Sequence, residues 1–231
     1  MEDMRVQTKA VQTSLTPERA FQILQEGNQR FVSNLRYNRN LLKQVNETSE
    51  GQHPFAIVLS CIDSRTSAEL IFDQGLGDIF SVRVAGNVLN EDILGSMEFA
   101  CQIAGAKLIV VLGHTRCGAV KGACDHVKMG HLTGLLNKIR PAVYSIEKAG
   151  QIAAGTEPFV EAVAVENTRQ QMHAILDRSP IIEHLFDGGD VGIVGGMYSV
   201  ETGEVEFFDQ QFHGAVSAAD LSAADHLVNT R

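Results

Sequence analysis

Apolar runs that alternate with helical patterns predict an α/β fold: a mostly parallel β-sheet of about four parallel strands plus an antiparallel edge strand, flanked by helices. Three observations carry this. Phe55-Ala-Ile-Val-Leu-Ser60 and Lys107-Leu-Ile-Val-Val-Leu-Gly113 are short, continuous apolar runs with β-branched members, the pattern of strands buried on both faces. Helical patterns separate these runs from two further ones, at residues 78–84 and 190–195. Last, Glu201-Thr-Gly-Glu204 reads as a turn, with Val205-Glu-Phe-Phe208 returning from it as an edge strand. No repeat, low-complexity run or linker interrupts the chain, so residues 1–231 are expected to form a single domain.

Residues 1–33 make an N-terminal arm and helix. The first 14 lack apolar periodicity and read as a loose arm. Thr16-Pro17-Glu18 then starts a helix: a capping hydroxyl, proline at the first helical position and an acid in the first turn. Phe21, Leu24, Gly27 and Phe31 share one face of it, and a helix so far ahead of the first strand needs a surface to cover, such as a second subunit. Residues 34–53 are polar and read as a surface connection. Helices are expected over 67–74, 91–104, 118–127, 132–148 and 158–178, with Gly75 and Gly105 as stops. Residues 213–231 are small and polar, a tail or a packing helix.

Composition narrows the function. A formal charge of −9 argues against a nucleic-acid surface, which needs clustered Lys and Arg. No stretch approaches the roughly 18 apolar residues of a membrane span, and Met1-Glu-Asp-Met-Arg5 lacks the apolar core of a secretory signal, so the expected location is cytoplasmic. In that reducing compartment Cys61, Cys101, Cys117 and Cys124 are expected as thiols rather than disulfides, with Cys101 and Cys124 as small apolar residues on helices.

The chemistry gathers at two strand ends. The first buried strand runs into Cys61-Ile-Asp63-Ser-Arg65 and the third into His114-Thr-Arg-Cys117-Gly118. Open α/β sheets place ligand sites at the carboxyl ends of their strands. If these two strands are parallel neighbours, Cys61, His114 and Cys117 converge there, and two thiolates with one imidazole suit Zn²⁺. Cys117 also lies near a helix N-terminus, which favours a thiolate. The bland alternative is a buried thiol beside a hydrogen-bonded histidine; a second strand-end thiol favours the metal. Asp63 is a candidate fourth ligand, or a group that Arg65 fixes as an acceptor. The other seven histidines have no visible site context.

The two motifs, Cys61-Ile-Asp63-Ser-Arg65 and Gly113-His114-Thr-Arg-Cys117-Gly118, resemble those of the β-class carbonic anhydrases. Arg83-Val-Ala-Gly-Asn87 resembles the segment after that family's second strand, and residues 192–204 its last strand and hairpin. The resemblance spans roughly residues 16–210. It implies zinc on Cys61, His114 and Cys117, with Asp63 and Arg65 as the catalytic dyad. Gln74 matches a glutamine lining the substrate pocket across the dimer interface, and Gly118, Gly86 and Asn87 fall against the site. It implies reversible hydration of CO₂ to bicarbonate and a proton by zinc-bound hydroxide, oriented by Asp63. It also implies a homodimer, often paired into a tetramer, in which the N-terminal helix embraces the partner.

Two departures stand out. The chain has no Trp, which some members use in a second, non-catalytic bicarbonate site, and Ala119 replaces a glycine common after Gly118. A switch in which Asp63 leaves Arg65 for the fourth zinc position remains compatible with the residues. Related proteins on this scaffold hydrolyse COS or CS₂, which leaves that activity as an alternative. A non-catalytic zinc or bicarbonate sensor is another, although it has no need of the Asp63–Arg65 pair.

Overall fold

The protein is described here from a computed structural model covering residues 6–212 of 231. The predicted tail at 213–231 and the first five residues of the arm lie outside the described residues.

Five strands form one sheet: β1 (Ala56–Ser60), β2 (Ile79–Arg83), β3 (Leu108–His114), β4 (Gly192–Tyr198) and β5 (Val205–Gln211). Their spatial order is β2-β1-β3-β4-β5, with β1 parallel to β2 and β3, β3 parallel to β4, and β5 antiparallel to β4. The chain leaves β1 for β2 on one side, then returns to place β3 on the other. That reversal between adjacent parallel strands opens a crevice at their carboxyl ends.

Strands β1, β3 and β4 are buried at every position. Alternate residues supply two cores. Val58, Leu108, Val110 and Val194 face one way, toward Phe21, Leu24 and Phe72. Ile57, Leu59, Ile109, Val111 and Ile193 face the other, toward Met97, Met172, Ile175 and Ile182. A third cluster caps the carboxyl ends of the sheet and holds Cys61 and Cys117 among Val120, Ile139, Val143 and Phe159.

Ten α-helices occur among the described residues. α1 (Lys9–Ser14) stands where a loose arm was expected. Thr8 caps it, and the fully buried Gln12 donates to the carbonyls of Pro54 (2.7 Å) and Ala104 (2.8 Å). The segment is anchored by an amide rather than by apolar residues, so it has no apolar periodicity. α2 (Pro17–Val32) is capped by Thr16 as predicted. The surface it covers belongs to its own chain: Phe21 meets Phe207 edge-on at 4.9 Å, and Ala20 and Leu24 are fully buried in the first core.

α3 (Leu41–Glu47) forms within the expected connection, capped by Asn40. α4 (Ala68–Ile71) is shorter than predicted, and α5 (Glu91–Glu98) continues as one π-helical turn to Ile103. After α6 (Gly118–Cys124), the pattern at 132–148 divides into α7 (Gly130–Leu136) and α8 (Arg140–Ala149), with Pro141 in the first turn of α8. α9 (Glu157–Arg178) runs as predicted behind β3 and β4. α10 (Pro180–Asp187) was not foreseen; Ser179 ends α9 and caps α10 through its hydroxyl.

Candidate metal centre

Strand pairing aligns the donors. Ser60 of β1 is in register with Leu112 of β3, so Cys61 falls level with Gly113 and His114 follows one residue on. Gly113 is required by its neighbours: a methyl group there would lie 2.6 Å from both Met197 Sδ and Thr168 Oγ1. After His114 the chain turns at Arg116, in the left-handed region at φ 54°, and Cys117 precedes the first residue of α6. Three contacts hold that strained residue: its amide donates to Glu161 (2.7 Å), and its guanidinium pairs with Glu157 and Glu201.

Cys61, His114 and Cys117 are all buried, and one donor atom from each lies within 4.8 Å of the other two. The two sulfurs are 4.0 Å apart. Two sulfurs bound tetrahedrally to one ion at about 2.3 Å would lie about 3.8 Å apart. His114 Nδ1 donates a hydrogen bond to the Thr115 carbonyl at 2.9 Å, which fixes the tautomer. Nε2 is left buried and without a hydrogen-bond partner. A buried, unsatisfied nitrogen beside two thiols fits a metal far better than an apolar core.

The two thiols also titrate together. The S–H of Cys117, the adjacent His114 imidazole and the Gly86 and Asp63 amides lower the pKa of the Cys61 thiol, against burial. The charge that Cys61 then carries, together with burial, raises Cys117. Two thiolates this close are stable together only with positive charge between them. By contrast, burial alone pushes Cys101 up to about 12, and burial with the nearby Asp125 charge pushes Cys124 up to about 11, so both remain neutral thiols as expected.

Asp63 and Arg65 form a bidentate pair beside this cluster. Arg65 Nε donates to Oδ1 at 2.9 Å and Nη2 to Oδ2 at 2.7 Å, and the Arg65 amide adds a third bond to Oδ1 at 3.0 Å. These bonds hold the Asp63 carboxyl well below the usual carboxylate range, so it is an acceptor only. A cleft of about 270 Å³ opens at this point, bounded by Cys61, Asp63, Ala85, Gly118, Ala119 and Leu132. Apart from the carboxylate its walls are largely apolar. A methyl group on Gly118 would meet nothing within 4 Å, so packing within the chain does not demand glycine there.

The remaining predicted residues divide. Gly86, at φ 70°, points its amide at Cys61 Sγ, 3.4 Å away. Asn87 is buried next to it, also left-handed. Gln74 is not in this cleft: its amide donates to the Phe72 carbonyl (2.6 Å), and it lines a separate cleft with Tyr37, Arg39 and Asp73.

Sequence reasoning did not single out Arg83 or Asn167. Arg83 donates to the Cys61 carbonyl (2.9 Å) and to the Asp63 carbonyl (2.6 Å), holding the loop that carries both residues. Asn167 sits on α9 and donates to the Gly86 carbonyl at 2.9 Å. An amide in line with the apolar stripe of α9 was the available signal.

Comparison with known proteins agrees with this geometry. The carbonic anhydrase family profile matches residues 56–205. A carbonic anhydrase of Mycolicibacterium smegmatis is 37% identical over 197 residues, covering 82% of this chain and 92% of the relative. Carbonic anhydrase 2 of Mycobacterium tuberculosis is 34% identical over 199 residues, covering 84% and 93%. Among solved structures, the β-carbonic anhydrase CafA of Aspergillus fumigatus superposes with a TM-score of 0.66 at 25% identity, covering 82% of this chain and 90% of that one. The Coccomyxa β-carbonic anhydrase, at 21% identity and a TM-score of 0.67 with 89% and 96% covered, shares the fold. On the strength of this sheet, this cluster and these relatives, the chain belongs to the β class of the carbonic anhydrase family and is a carbonic anhydrase.

Proposed function

We propose that the chain hydrates CO₂ reversibly to bicarbonate and a proton, with Zn²⁺ held by Cys61, His114 and Cys117 and with Asp63 and Arg65 as its catalytic dyad. The observation that carries this reading is the buried, unsatisfied Nε2 of His114 in a cluster with two thiols. Three soft protein donors leave one tetrahedral position open, as catalytic rather than structural zinc sites do. Zinc bound there supplies a nucleophile from water near neutral pH by lowering that water's pKa.

The chain's own residues do the rest. Arg65 occupies two acceptor positions on Asp63 Oδ1 and one on Oδ2, so a lone pair on Oδ2 stays available. That oxygen would accept a hydrogen bond from the nucleophile, whose hydrogen stays on it, and so turn the nucleophile's lone pair toward the carbon of CO₂. The apolar walls favour a small, linear, apolar substrate over water. Gly118 leaves room for that substrate. The oxygen–carbon bond forms, the negative charge passes to bicarbonate, and one proton leaves for bulk solvent.

Asp63 is bonded to Arg65, and this pairing is the arrangement competent for catalysis. Gln74 lies outside the Cys61–Asp63 cleft of its own chain, so the pocket role that the resemblance gives it would be filled from a second copy, and the working unit on this reading is a homodimer, with pairing into a tetramer as its extension. β2 is one of the two edge strands of the sheet, and Leu35, Tyr37, Leu70 and Leu76 are exposed large apolar residues, as a dimer surface requires. Among the described residues no helix is long and apolar enough to cross a membrane. Four unpaired thiols suit the cytoplasm.

Metal analysis together with stopped-flow CO₂ hydration tests the reading. One zinc per chain and fast hydration are expected, and Cys117→Ser should lose the zinc. Full zinc retention in that variant would remove the ligand assignment. Faster turnover of COS or CS₂ than of CO₂ would reassign the substrate.

A further inference from the structure

We infer that Asn167, a residue of α9 outside the metal cluster and the dyad, is a positioning residue that sets the strength of Cys61 as a metal ligand by holding Gly86. The inference rests on the reading of Cys61 as a zinc ligand and adds a residue that neither motif contains.

Gly86 is the link. Its amide reaches Cys61 Sγ at 3.4 Å because the residue is left-handed, at φ 70°. It is also confined: a methyl group there would lie 2.6 Å from Ile139 Cδ1 and 3.3 Å from the Ala119 Cβ. Its carbonyl accepts from Asn167 Nδ2 at 2.9 Å, and Asn167 Oδ1 accepts from Gln171 Nε2 at 3.2 Å. Gln171 Oε1 in turn accepts from the Leu89 amide at 2.8 Å. Two amides one helical turn apart on α9 therefore grip the loop at residues 86 and 89.

Both amides are buried, Asn167 at 1% exposure and Gln171 at 8%, on a helix whose neighbouring inward residues are Val163, Ala164, Met172 and Ile175. Burying two amides is costly unless every polar atom is matched, and each of the bonds above matches one. Their shared target is the loop whose Gly86 amide donates to the Cys61 sulfur. A hydrogen bond to a thiolate draws charge from sulfur, weakens it as a donor and orients it, as partners behind metal ligands do.

The test uses the cobalt(II)-substituted protein, whose sulfur-to-cobalt charge-transfer absorption reports the hydrogen bonding of the thiolates. In Asn167→Leu the band should move to longer wavelength as the sulfur regains charge, while zinc affinity, measured by chelator competition, should fall by about tenfold to a hundredfold because the sulfur is no longer held in place, a loss that outweighs its gain as a donor. Gln171→Met alters the same buried face but keeps the bond from Asn167 to Gly86, so its band should stay in place. If Asn167→Leu does not fold, Asn167→Ser, too short to reach the carbonyl directly, should show the same direction of change. An unshifted band in a cobalt-loaded Asn167 variant overturns the inference, as does an equal shift in Gln171→Met, which would mean general loosening. Failure of the unmodified protein to bind cobalt or zinc would instead overturn the metal reading itself.

Discussion

Two aspartates, ten residues apart in sequence, each meet arginine in this fold, and the pairs serve opposite ends. Asp63 is held by a single local partner, Arg65, with side-chain exposures of 19% and 48%. Asp73 is gripped by two distant ones, Arg30 and Arg39, at exposures of 1% for the acid and 19% and 9% for the bases. The Tyr37 amide also donates to Asp73, and Arg39 reaches its backbone carbonyl as well. Around Asp73 the contacts tie α2, the segment before α3 and the end of α4 together, leaving the carboxylate shut in. Each carboxylate accepts three hydrogen bonds, so access rather than bond count separates them: Asp63 keeps its free lone pair at the mouth of a cleft. The same ion pair is a clamp when buried between distant arginines, and an open acceptor when its partner is local and the cleft lies beside it.

Substitution can break that contrast. The largest effect is expected from Asp63→Ala: CO₂ hydration should fall by about a hundredfold or more, while bound zinc stays stoichiometric. Unchanged turnover would discredit the dyad. Stability should hardly change, because a partly exposed local pair contributes about 1 kcal/mol or less.

Asp73→Ala should do the reverse. Removing one partner of a buried ion cluster costs about 3–5 kcal/mol, seen as a lower urea midpoint, while the folded fraction keeps its zinc and turnover. A variant as stable as the parent would show that the clamp contributes nothing.

Acid sharpens the comparison. Burial pushes the Asp73 carboxyl up, but Arg30, Arg39 and the Tyr37 amide together outweigh it and leave it below its ordinary value of 3.8. A depressed carboxyl lends stability that is complete above the unfolded-state pKa, about 4, and is lost as pH falls through the folded value. The stability gap between the parent and Asp73→Ala should therefore be constant near neutrality and narrow below about pH 4. A gap that stays constant through that window would contradict the assignment.

Arg65→Lys gives the smallest expected change. It keeps the charge but not the planar fork, so Asp63 loses its orientation more than its ionisation. Hydration should drop by less than in Asp63→Ala, with zinc retained. Full activity would mean that charge alone suffices.

The two regions also differ in how far sequence revealed them. Asp63 and Arg65 are two residues apart after a strand whose apolar run is unmistakable, and Cys61, His114 and Cys117 follow from placing two such strands side by side. The sheet was legible for the same reason: strands buried on both faces leave an unbroken apolar signature. The Asp73 clamp joins residues 30, 39 and 73, which no periodicity connects. Helices α1 and α3 escaped because Gln12 and Gln44, rather than apolar residues, are their buried positions. Asn167 was hidden inside a helix read only for its apolar stripe. Gln74 was legible only through the family resemblance, and in the fold it lies apart from the metal cluster, in a cleft with Tyr37, Arg39 and Asp73.

The register of β1 against β3 has a consequence for how the enzyme matures. Cys61 and His114 are brought within one residue of level by backbone pairing, so two of the three donors are set once the central strands have zipped together. A metal held there would then be a late arrival to a seat already formed rather than the seed around which the polypeptide condenses. Protein stripped by a chelator should keep its far-ultraviolet circular dichroism, take zinc back without refolding, and gain melting temperature in proportion to the logarithm of the free metal supplied.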